Sequence, residues 1–81
     1  MLHFSYTNHA RRRMQQRGVR EEDVQIAVTH PDEICQTPEN SNRYMRTMSD
    51  HRTLKVWIAL PEVGEGRVVK SVAWKGEADD R

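Results

Sequence analysis

His9 and Arg13 are one helical turn apart, and Arg13 stands in the same relation to Gln16 or Arg17, so on a helix these side chains share a face. An imidazole takes or gives a proton near neutrality. A guanidinium stays charged and meets phosphate oxygens two at a time. Metal-free RNA cleavage needs a proton acceptor for the 2′-hydroxyl, a donor for the leaving 5′-oxygen, and positive charge on the phosphorane oxygens. His9 suits the first or second role and Arg13 the third. The plain structural alternative is a first-turn histidine bonded within the fold, with arginine stems lying over the core. For Arg17, which precedes a glycine, that alternative comes first.

The remaining donor has to come from other elements. Arg46 and His51 complete the expected catalytic set with His9 and Arg13. Of these, His51 is the one further imidazole placed to act, and it falls in a turn. The expected nucleic-acid-binding set is Arg12, Arg17, Lys55, Trp57, Lys70 and Trp74, the lysines interleaved with tryptophans on which bases could stack. Singly, each of these six fits an ordinary sheet or helix surface. His3, His30, His51 and Cys35 lack metal-ligand spacing, so neither a metal nor a cofactor is expected.

The elements that must position these residues can be read from periodicity. Residues 9–17 contain no β-branched residue, proline or glycine, Thr7 can cap them, and Gly18 can end them, which predicts a helix over 7–17. Ala10 and Met14 face inward. A second helix over 21–29 starts with Glu21, Glu22 and Asp23, buries Val24, Ala27 and Val28, and stops before Pro31. Strands are expected over 33–37, 43–48, 53–60 and 67–75, joined by short turns that favour an antiparallel meander. Leu54, Val56, Ile58 and Leu60 alternate as a core row, leaving Thr53, Lys55, Trp57 and Ala59 on the other face. In the last strand Val68, Lys70, Val72 and Trp74 compete with Val69, Ser71 and Ala73 for the core. The expected fold class is α+β: two N-terminal helices packed on one face of a four-stranded antiparallel meander, with residues 2–6 a candidate short strand. Residues 1–75 form one domain and 76–81 a mobile tail.

Composition bounds the rest. At 81 residues, 36% of them apolar and 31% charged, the chain can support one thin core. No run approaches the length of a membrane span and the N-terminus lacks a secretion signal, which predicts a cytoplasmic protein without membrane association. One cysteine excludes an internal disulfide framework. The net charge of +1 conceals an asymmetry: residues 1–20 hold five arginines and no acid, and all 12 acids follow. A basic surface of that kind suits phosphate or another acidic partner.

Thr7-Asn8-His9-Ala10, Arg13-Met14, Arg17-Gly18-Val19, Glu22-Asp23-Val24 and Pro31-Asp32 form a series that resembles the family called domain of unknown function 4258. Its members open with a Ser/Thr-x-His-Ala…Arg-Met…Arg-Gly-Ile/Val helix, and a second helix and a β-meander follow. Arg20 departs from the pattern, since the family usually places Ser, Thr or Asp there to cap the second helix. The family has been compared with the small barnase–EndoU–colicin–RelE-like, toxin-like ribonucleases, which need no metal. The resemblance therefore implies N-terminal helices on an antiparallel sheet, with RNA as ligand. The expected function is an RNA-binding domain, with metal-independent cleavage by His9, Arg13 and Arg46, leaving a 2′,3′-cyclic phosphate, as its catalytic form. The alternative is a non-catalytic binding or dimerisation module, a homodimer or the target of an acidic protein partner or inhibitor.

Overall fold

The computed structural model describes residues 1–76. The weak alternation at the N-terminus does form a strand, β1 (His3–Tyr6). Thr7 ends it, and its hydroxyl accepts the Ala10 N–H at 3.0 Å to cap helix α1 (Asn8–Arg17). Gly18 closes that helix at φ 65, where a side chain would be strained. Helix α2 (Glu21–Thr29) begins at Arg20 without a small polar cap. Asp23 replaces it from inside the helix: its carboxylate accepts the Arg20 backbone N–H at 3.0 Å and the Arg20 guanidinium at 3.4 Å. The unusual residue is thus accommodated, and the second helix starts where its acidic first turn predicts.

Four strands follow: β2 (Glu33–Thr37), β3 (Ser41–Thr47), β4 (Thr53–Ala59) and β5 (Gly66–Trp74). They pair antiparallel in chain order, as the short turns require. The expectation of a four-stranded antiparallel sheet needs correction, however. β1 joins as a fifth strand, parallel to β5, and the order is β1-β5-β4-β3-β2. Turn signals reveal only pairings between consecutive strands. β1 and β5 are joined through the whole domain, a link long enough for the parallel crossover. The expected tail is only partly described: Gly76 sits at φ 97 after β5, and 77–81 lie outside the described residues.

Both helices lie on one face of the sheet, α1 against β5 and β1, α2 against β4 and β3. Ala10, Met14, Val24, Ala27 and Val28 meet Tyr44, Leu54, Val56, Ile58, Val69, Val72 and Trp74 there. The competing rows of the last strand are reconciled by a bulge. Trp57 pairs Ser71, but Ile58 pairs Val69, so Lys70 is an extra residue and the phase of β5 shifts by one. Val69 before it and Val72 and Trp74 after it all reach the core. Val56 is fully buried in the middle of this layer. Val56→Ala should therefore destabilise the domain by about 2–3 kcal/mol, the transfer loss of two methyls plus the residual cavity. Urea unfolding measures this, and a change under ~0.5 kcal/mol would place Val56 outside the core.

Residues 60–65 link β4 to β5. Glu62 accepts from Tyr44 Oη at 2.5 Å and Asn42 Nδ2 at 2.7 Å, and pairs Arg67 Nε at 2.9 Å. One carboxylate thus ties the loop to β3 and β5.

Candidate functional site

β1 pairs β5 only as far as Tyr6↔Val69, so the later half of β5 has an edge without a neighbouring strand. Helix α1 lies along that edge. Thr7 Oγ1 donates to the Lys70 carbonyl at 3.2 Å, and Arg17 Nη1 donates to the Val72 carbonyl at 2.7 Å. Trp74 Nε1 returns a bond to the Arg17 carbonyl at 2.8 Å. Arg17 and Trp74, both expected to bind nucleic acid, are therefore engaged in joining helix to sheet, and Trp74 belongs to the core.

At 3.6 residues per turn, His9 and Arg13 project from the flank of α1 opposite Arg11. Arg11 turns to Tyr6, 4.9 Å from its ring centroid, and to Glu21 at 3.6 Å. His9 and Arg13 thus look away from α2 and past the β5 edge. Both are half-buried. Arg13 Nη1 donates to Gln16 Oε1 at 2.7 Å, and His9 Nε2 is buried with no hydrogen-bond partner. Arg12 stands exposed on the outer side of the helix.

The sheet face opposite the helices collects a second group. Strand pairing aligns Cys35, Arg43, Trp57 and Ser71 in one row across four strands, with Glu33, Met45, Lys55 and Ala73 in the next. Trp57 is 1% exposed and Lys55 7%, with Lys55 Nζ 5.6 Å from the Trp57 ring centroid. Lys70, the bulge residue, donates to the Glu39 carbonyl at 2.9 Å in the β2–β3 turn, so its side chain crosses β4. Lys55, Trp57 and Lys70 are thus brought together, and Thr7 at the start of α1 binds the Lys70 carbonyl, which sets His9 beside this end of the face.

Arg46 and His51 are not brought to it. Arg46 pairs Leu54, which puts it on the helix side, and its Nη1 donates to the His30 carbonyl at 2.6 Å, a cation at the C-terminus of α2. His51 is exposed in the β3–β4 turn at φ 71. That turn lies beyond the Leu54–Trp74 row, itself about 10 Å along β5 from Ser71. His9 and His51 therefore do not share one phosphate.

The sequence reading missed Arg43 and Ser71. Arg43 could have been found: once Tyr44 is taken as the core residue of its strand, Arg43 must join Lys55 and Trp57 on the other face. Ser71 could not, because its side depends on the bulge. The N-terminal charge asymmetry is also partly spent inside the fold, since Arg11 and Arg20 pair Glu21, Glu22 and Asp23. Among the described residues, no three His, Cys, Asp or Glu side chains gather as metal ligands, and no helix is long and apolar enough to cross a membrane.

An N-terminal helix carrying His-Ala…Arg-Met…Arg-Gly, docked on the edge of a β-meander, defines an α+β domain with a basic sheet face. The chain belongs to the family described as Domain of unknown function (DUF4258), which it matches over residues 6–74. Neither a curated protein nor a solved structure matches it.

Proposed function

We propose that this is a cytoplasmic RNA-binding domain that takes single-stranded RNA across the sheet face opposite its helices and cleaves it without a metal. His9 moves the proton and Arg13 holds the phosphate charge. The observation that carries this reading is the segregation of charge. Arg43, Lys55 and Lys70 share one face beside the flank that bears His9 and Arg13, with Glu33 at the β2 edge and Glu39 in the turn that Lys70 reaches as the acids beside them. Five further acids are held elsewhere: Glu21, Glu22 and Asp23 by α1 and Arg20, Glu62 by Arg67, Glu65 by the N-terminus. The family's likeness to RelE-like ribonucleases adds an analogy of fold and no more.

The test is incubation of the purified protein with total RNA in EDTA. Fragments ending in 2′,3′-cyclic phosphate are expected. Intact RNA would remove the catalytic half of the reading, and absence of binding at low salt would remove all of it. A non-catalytic module, dimerised or bound to an acidic protein, then takes its place, and one observation favours it. β2 is an edge strand exposed over most of its length, with Ile34 54% accessible.

A further inference from the structure

We propose that Arg43, Lys70 and Ser71 form a seat for a single RNA phosphate above Trp57, an assignment that rests on the RNA reading of this face. Ser71 is 1% exposed and its Oγ has no hydrogen-bond partner. Arg43 Nε is likewise buried and unpartnered. Buried donors are nearly always paired, so two orphans need a reason. These two bracket one residue, Trp57, in a single row of the sheet. Their backbones are two strand spacings apart, about 10 Å, with Trp57 on the strand between them. Two buried, unpartnered polar groups on one face of the sheet, either side of a single residue, fit an acceptor supplied by a ligand.

The bulge supplies the third group. It inserts Lys70 directly before Ser71 and re-aims the side chains there, a common device beside functional sites. The Lys70 ammonium is held by a neutral carbonyl, that of Glu39, in an exposed hydrogen bond. A phosphate oxygen is the stronger acceptor for an ammonium. Transfer of Lys70 from Glu39 to phosphate therefore adds a cation to the seat.

The experiment is anisotropy of a short labelled single-stranded RNA against wild type, Arg43→Gln, Arg43→Lys and Ser71→Ala, over a series of salt concentrations. Each variant is checked for a wild-type thermal melt. Arg43→Gln should weaken binding about ten-fold or more and make the log–log salt slope shallower by about 0.7, one phosphate contact. Arg43→Lys should keep the slope yet lose affinity, because an ammonium lacks the planar fork. Ser71→Ala should cost a few-fold with an unchanged slope. Wild-type affinity and slope in all three variants would overturn the seat while leaving RNA binding intact. If wild type binds no RNA, titration with inorganic phosphate decides the seat alone. Amide and Arg43 Nε–H shifts at 43, 70 and 71 in NMR spectra support it, and unmoved resonances overturn it.

Discussion

His9→Ala should slow RNA cleavage in EDTA by about 10²–10⁴-fold, the usual loss on removing a proton-transfer group. RNA affinity should stay within about two-fold, because an imidazole that acts on a proton in the transition state adds little to ground-state binding. The fold should survive the change. Nε2 makes no hydrogen bond within the protein, so truncation breaks none through that atom. Arg13→Gln provides the contrast: it should lower affinity and rate together, since a cation meets phosphate charge in both states. The pair is read by single-turnover kinetics beside a binding isotherm. Cleavage by His9→Ala at the wild-type rate would remove His9 from the chemistry.

Glu62→Ala is the largest expected loss of stability. The carboxylate and Arg67 are 12% and 16% exposed, and Tyr44 and Asn42 depend on the same two oxygens. Removing one partner of a mostly buried pair leaves the other charge and its neighbours unmatched, which costs about 3–5 kcal/mol. Against a total of about 5–10 kcal/mol for a domain this small, much of the protein would unfold on mild warming. The same cluster sets an alkaline limit. Burial foremost, and then the bond to Glu62, push the Tyr44 phenol up to about 12 from an ordinary 10.0. The unfolded chain therefore gives up this proton first, so the Tyr44 contribution is full below pH 10.0 and is lost as the pH rises towards about 12. Urea midpoints of wild type should fall over that interval, and Tyr44→Phe should flatten the fall. A Glu62→Ala variant within ~1 kcal/mol of wild type would mean that the loop is held by other contacts.

What was legible in the sequence follows from local physics. The cap at Thr7, the glycine at 18 and the apolar spacing of 24, 27 and 28 are short-range signals, and both helices stand where these place them. Alternation from Leu54 to Ile58 fixed the core side of β4, and with it the side of Lys55 and Trp57. Long-range features were illegible for a common reason. The parallel β1–β5 pairing, the bulge at Lys70 and the Glu62 cluster depend on residues more than ten positions apart meeting in space. Trp57 and Trp74 look equivalent in sequence, yet the phase shift at Lys70 sends Trp74 to the core while Trp57 stays opposite. Arg17 and Arg46 read as free cations until the carbonyls of Val72 and His30 are seen to take them.

The salt dependence of single-stranded RNA binding tests the central claim most directly. Arg13, Arg43 and Lys70 provide up to three phosphate contacts on one side of the molecule, so log Kd against log salt should have a slope of magnitude about 2, affinity falling as salt rises. Binding too weak to detect at low salt, or an affinity indifferent to salt, would contradict an RNA-binding sheet face.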